Sequence, residues 1–259
     1  MQTKNLPTID VGYWAAIVAA SMCGANSGDL AAGPLGLGHV KGLLPLAIIF
    51  LVILFAEKSM KWTTVAFYWL AIIVLRTMAT NLSDLGAHDM KIPYLVFIAG
   101  LIVFMAGMIV FEKSQGGDKS GIMGADGVWR GLPKTDWIYW VIMLAAGTLG
   151  TAIGDYLVEK DQIGLGVYWG SALCVPIFGV ALWLGTSVGK MTTPWYWVVI
   201  VACRTLGTDL GDMLVAMFRT VTPTRPMGLW LSTVCTALLL TAIIYFWNRR
   251  RADQPVLAS

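Results

Sequence analysis

The chain has 259 residues, 57% of them hydrophobic and only 13% charged, with a mean hydropathy of +0.71. Soluble domains average about 25% charged residues, so an ordinary soluble fold is excluded. The formal net charge is +3, with no basic run interleaved with aromatics, which excludes a nucleic-acid surface.

Met1 to Asp10 lacks the basic-then-apolar pattern and small-residue cleavage site of a signal peptide, so the first apolar span is expected to be retained. Apolar stretches then follow at 11–32, 37–56, 62–86, 92–112, 136–158, 163–186, 194–218 and 228–248. Each is close to the roughly 20 residues a helix needs to cross a bilayer. None shows the ten-residue alternation of a membrane β-strand. The expected fold is therefore all-α, with eight transmembrane helices. Cys23, Cys174, Cys203 and Cys235 fall in these spans without any Cys-x-x-Cys pair, so they read as small buried hydrophobes.

Tyr-Trp occurs at Tyr13-Trp14, Tyr68-Trp69, Tyr139-Trp140 and Tyr196-Trp197. Each tryptophan is followed 15 residues later by an aspartate: Asp29, Asp84, Asp155 and Asp212. Four identical spacings point to internal duplication. Each unit is predicted to be a helical hairpin, with an odd-numbered helix carrying Tyr-Trp and the aspartate and a plainer even-numbered one after it. The units group into an N-terminal half, 1–115, a linker, 116–134, and a C-terminal half, 135–259. With two crossings per unit all odd helices run the same way, giving a parallel repeat rather than an inverted one. Lysine and arginine number eleven in the connections on the side of both termini and five on the other (Lys41, Lys91, Lys160, Arg219 and Arg225). That asymmetry puts both termini in the cytoplasm. The Tyr-Trp pairs are expected to anchor the cytoplasmic interface, with the aspartates roughly 22 Å away at about 1.5 Å per residue.

Ionisable groups at membrane depth are costly and usually face a bundle interior or an aqueous cavity. Positions three, four and seven before each aspartate share its helix face. That face holds Thr205, Thr208 and Asp209 in the fourth copy, and Thr77, Thr80 and Asn81 in the second. It holds Thr148 and Thr151 in the third copy, and only Asn26 in the first. Carboxylate, amide and hydroxyl oxygens are the ligands of a hard cation. The expected polar core is therefore Asp29, Asp84, Asp155, Asp209 and Asp212 with Asn26, Asn81, Thr80, Thr151 and Thr208. Asp84, Asp155 and Asp212 are its candidate metal ligands, and no other cofactor is expected. The competing reading makes the same groups helix-to-helix glue, which fits the threonines better. Arg76 and Arg204 read as buried counter-charges to the aspartates; an anion centre is the alternative. Gly28, Gly154 and Gly211, just before three of the aspartates, are expected to let helices pack closely. His39 and His88 lie near helix ends on the aspartate side.

The Tyr-Trp pairs, the Thr-x-x-(Gly/Ser)-Asp motif and Gly164-Leu165-Gly166 after the third copy resemble a bacterial family of membrane proteins built from four copies of a short repeat of unassigned function. The likeness covers essentially the whole chain, and the third unit, Gly147 to Gly166, looks nearest. Met22 and Ala25 stand where threonines would be expected in the first copy. The resemblance implies the fold and a bacterial inner membrane, and no substrate.

Two functions stay open. One is a transporter or channel for a small ion, above all a cation at the aspartate layer; the other is a membrane scaffold or assembly subunit with a structural polar core. An enzyme is not expected, because nucleophile–base–oxyanion combinations are absent. Expected partners are the lipid bilayer and a small ion or solute, not nucleic acid, with a homo-oligomer left open.

Overall fold

The computed structural model describes residues 6–60, 64–115, 131–187, 191–222 and 224–252. Most of the proposed linker, 116–130, therefore lies outside the described residues. Within them are eight α-helices: α1 (Val11–Ala32), α2 (Gly38–Ser59), α3 (Ala66–Asp84), α4 (Tyr94–Ser114), α5 (Trp137–Val158), α6 (Gly166–Ser187), α7 (Thr193–Arg219) and α8 (Arg225–Ala252). Helix α3 runs on into a π-helical turn, Leu85–Asp89.

The helix starts follow from local chemistry. The Asp10 carboxylate accepts from the Tyr13 N–H at 3.0 Å, and Asp136 accepts from the N–H of Ile138 at 2.9 Å. Each satisfies a donor the first turn leaves unpaired. Pro194 stands in the first turn of α7, where its missing N–H costs nothing. The turns into α2 and α6 use Gly36 and Gly38, and Gly164 and Gly166, all at φ between +64° and +76°. That region is open to glycine at little cost, so Gly-Leu-Gly is a turn device used twice.

Six helices are long and apolar enough to cross a membrane: α2, α3 with its π turn, α4, α5, α6 and α8. They are compatible with a multi-pass membrane protein. Eight such spans are expected from the sequence; α1 and α7 fall outside the six. Ser21 and Asn26 of α1 and Arg204 and Asp209 of α7 are buried against other helices, while Asp29 and Asp212 line a cavity.

The odd-numbered helices form a closed inner ring in which α1 packs on α3, α3 on α5, α5 on α7 and α7 on α1. The ring thus draws α1 and α3 from one proposed half and α5 and α7 from the other. Each even-numbered helix lies outside the ring. It packs chiefly on the odd helix that follows: α2 on α3, α4 on α5, α6 on α7, and α8 on α1. The helices of a sequence hairpin therefore touch each other less than each touches its next neighbour. A short connection brings two helices side by side, but the small inner-ring faces decide where an outer helix settles. Outer helices show apolar side chains to the surroundings, Leu44 at 70% exposed, Val103 at 72% and Trp169 at 74%, as lipid contact requires.

Ring contacts are made by small residues. Five before each aspartate stand Gly24, Ala79, Gly150 and Gly207; one before stand Gly28, Ser83, Gly154 and Gly211. A methyl group on Gly24 would fall 2.5 Å from Arg76 Cβ, and one on Gly150 2.5 Å from Arg204 Cβ. Spacing of small residues by four lets helix backbones approach this closely.

The Tyr-Trp pairs are not at an interface. All four tyrosines are 0% exposed and the tryptophans no more than 4%. Their hydroxyls form a cyclic hydrogen-bonded ring, Tyr13 to Tyr196 at 2.7 Å, Tyr13 to Tyr68 at 3.3 Å, Tyr68 to Tyr139 at 2.8 Å and Tyr139 to Tyr196 at 3.4 Å. A buried phenol needs a partner, and on four helices meeting at one axis the nearest partner is another copy of itself.

Candidate functional site: a layered polar axis

Positions four residues apart along the odd helices stack into layers. Above the tyrosine ring come Ile17, Ile72, Met143 and Ile200, all buried or nearly so. The next layer holds Ser21, Arg76, Gly147 and Arg204, and the one after it Ala25, Thr80, Thr151 and Thr208. The four aspartates follow, and Gly33, His88, Glu159 and Ala216 stand one turn further out.

The last three layers line one cavity of about 780 Å³. Its walls carry Asp29, Asp84, Asp155 and Asp212, and its floor Thr80, Thr151 and Thr208 beside Ala25. With the tyrosine hydroxyls meeting at one end and the aspartates at the other, the odd helices all run the same way.

Beneath the floor the arginines are closed in. Arg76 and Arg204 are each 1% exposed. Arg76 Nη1 donates to the hydroxyls of Thr151 at 2.7 Å and Thr80 at 3.1 Å and to the Gly147 carbonyl at 3.3 Å; its Nη2 donates to the Thr208 hydroxyl. Arg204 Nη1 donates to the Ser21 hydroxyl at 2.9 Å and Nη2 to the Met143 thioether at 3.2 Å. The expected direct pairing of Arg76 and Arg204 with carboxylates is not made: among the described residues no ion pair joins either to an aspartate. Each arginine precedes its aspartate by eight residues, about 12 Å of helix, with the threonine layer in between.

The polar set expected from the sequence splits in two. Thr80, Thr151 and Thr208 stay with the aspartates on the cavity. Asp209, Asn81 and Asn26, three residues before the aspartates, turn away from it. Asn26 donates to Ser232 on α8 at 2.6 Å. Asn81 lies against Gly42 of α2, and the Asp209 carboxylate accepts from the Cys174 thiol of α6 at 3.2 Å. At about 100° per residue a step of four lands about 40° from its start and a step of three about 60° on the other side. The first keeps to the axis and the second reaches the outer helix. Thr77, Thr148 and Thr205 return their hydroxyls to carbonyls four residues back, as glue or local caps rather than ligands.

Asp84, Asp155 and Asp212 share the cavity, but they are not a preformed metal site. Among the described residues no group of three or more His, Cys, Asp or Glu side chains converges closely enough to hold a metal ion. Carboxylates spread around some 780 Å³ reach a bare ion only by moving, or through water.

The cavity mouth is tied by a network that the sequence only half reveals. His39 lies 2.9 Å from Asp89 and 3.7 Å from Asp84. His88 lies 3.6 Å from Asp84 and 2.9 Å from Glu159, to which Tyr94 also donates at 3.0 Å. Asp89, Tyr94 and Glu159 are absent from the sequence-derived set. Glu159 was findable, standing four after Asp155 as His88 stands four after Asp84. Asp89 and Tyr94 come into place through the π turn and the start of α4, which no spacing signals.

A family model described as a Repeat of Unknown Function (DUF347) matches residues 195–253, that is α7 and α8. The chain thus carries a repeat of unassigned function, matched on the fourth unit rather than the third. Comparison with curated proteins and comparison with solved structures give no match.

Proposed function

We propose that this chain is an integral membrane transporter for a small ion, a cation held at the aspartate layer. The observation that carries the reading is the cavity lined by four aspartates from four helices, closed beneath by threonines and two arginines. Like charges gathered around one cavity are costly unless a cation or protons compensate them; Arg76 and Arg204 lie a layer away, and Arg219 in the lining is one positive charge against four carboxylates. A cation that leaves the aspartates for the other end must pass the arginine layer, an aliphatic layer and the tyrosine ring. That sequence suits a carrier which opens each side in turn better than a standing channel. The same reading keeps four hairpin units in two pseudo-symmetric halves, a bacterial inner membrane and cytoplasmic termini, each argued from repeat spacing, family resemblance and charge asymmetry.

The scaffold alternative has one observation in its favour: the floor threonines are bonded both to Arg76 and to carbonyls of their own helices, as structural glue would be. Equilibrium binding separates the two. Detergent-purified protein titrated with Mn²⁺, Mg²⁺, Ca²⁺ and Na⁺ should gain thermal stability with at least one of them by mass action. Asp212→Asn should abolish the gain with modest loss of fold, and Asp29→Asn should reduce it less. Indifference of wild type to every ion at millimolar concentration leaves the scaffold reading.

A further inference from the structure

We propose that the arginine layer, Arg76 with Arg204, binds a small anion of halide type inside the helix ring, beneath the threonine floor. The proposal goes beyond the cation reading and does not depend on it. A guanidinium keeps its charge in proteins and offers five N–H donors, with no acceptor. Two such groups lie here, each 1% exposed; they repel one another, and the aspartates act on Arg76 only from a layer away. Among the described residues their hydrogen-bond partners are neutral: hydroxyls of Ser21, Thr80, Thr151 and Thr208, the Gly147 carbonyl and the Met143 thioether.

The donors are also under-used. Nε of Arg76 and Nε of Arg204 are buried without a partner. One Nη of Arg204 spends itself on a thioether, a weak acceptor. Buried polar groups are nearly always satisfied, and each exception calls for an explanation. Here the unsatisfied atoms are cationic donors, so the missing acceptor is anionic. Arg76 reaches Thr208, whose own hydroxyl donates to the Arg204 carbonyl at 3.1 Å. The two arginines stand in one layer of the ring, Arg76 turned to the threonines and Arg204 to Ser21 and Met143, and a single anion in that layer is the ligand both could share.

Size follows from packing. The cavity lining ends at Thr80, Thr151 and Thr208 and includes neither arginine, while Gly24 and Gly150 press against their Cβ atoms. Among anions, a monoatomic one asks the smallest side-chain shifts of such donors, and a forked carboxylate or phosphate asks more.

The test uses the full-length protein in detergent, stripped of halide, at constant Na⁺. Sodium chloride or bromide is exchanged for sodium gluconate and the thermal midpoint is read. The expected result is a saturable rise with chloride and bromide, absent in Arg204→Gln and in Arg76→Gln. Those variants can fail to fold, so crystals of wild type soaked in bromide supply a second reading, an anomalous peak within hydrogen-bond distance of either guanidinium. Equal midpoints in chloride and gluconate overturn the proposal. So does an Arg204→Gln response equal to wild type, or bromide found only elsewhere. Because Na⁺ is constant, a halide effect without any cation effect sinks the aspartate reading alone, and the reverse sinks this one alone.

Discussion

Four tyrosine hydroxyls that donate and accept around a closed cycle behave as one unit rather than four side chains. Removing one oxygen leaves two neighbours short of a partner in a dry place. A buried donor or acceptor so stranded costs about 1–3 kcal/mol. Tyr139→Phe should therefore lower stability by about that amount, measured as the midpoint of unfolding in detergent. Replacing all four by phenylalanine removes every orphan as well as every bond. The quadruple variant should lose clearly less than four times the single loss, the non-additivity expected of coupled groups. Additive losses would mean that the hydroxyls work independently. Spacing made the depth of the aspartates, the arginines and the tyrosines legible from sequence, but the interface role expected of the tyrosines is not the one they have. Their partners were not, because a spacing gives depth along a helix and not the direction a guanidinium reaches.

At the scale of helices, small residues four apart decide which faces meet. A methyl group added at Gly150 would fall 2.5 Å from Arg204 Cβ and 2.9 Å from the Thr205 nitrogen. Neither atom belongs to a flexible side-chain end that could swing away. Gly150→Ala should therefore reduce folded yield severalfold by fluorescence size-exclusion. Gly107→Ala and Gly179→Ala, where nothing lies within 4 Å, should be neutral or gain up to about 1 kcal/mol from helix propensity. Equal effects at all three positions would refute close packing as the role of the ring glycines. Helix bounds were legible to within about four residues, since bilayer-length apolar runs mark them. The pairing of helices was not. Chain order suggests that α1 lies with α2, whereas α2 rests on α3 and α8 on α1. Nothing in the apolar faces of the outer helices records that choice.

For the whole molecule, the parallel arrangement of the odd helices makes topology a single two-way question. The eleven-to-five distribution of lysine and arginine predicts the answer. Reporter fusions after Ser59, near Gly121 and after Arg251 should give cytoplasmic signals, and fusions near Pro34 or Asp161 periplasmic ones. With the Ser59 fusion cytoplasmic, a periplasmic signal near Gly121 would break the eight-span arrangement, because it requires an odd number of crossings between the two points.

The contact of α8 with α1 bears on the time course of biosynthesis. Helix α1 leaves the ribosome before α2 to α7 and is covered by α8, made after them; Trp247 Nε1 donates to the Asp10 carboxylate at 2.9 Å. Until α8 is made, one flank of α1 has only lipid, chaperone or a neighbouring chain to lie against. Maturation should therefore be slow to begin and abrupt at the end, with α1 waiting through seven helices of synthesis. A chain stopped after Arg219 keeps every layer of the polar axis, yet in pulse-chase it should be cleared by membrane proteases much faster than the full chain. Supplying α8 as a separate peptide in the same cell should slow that clearance.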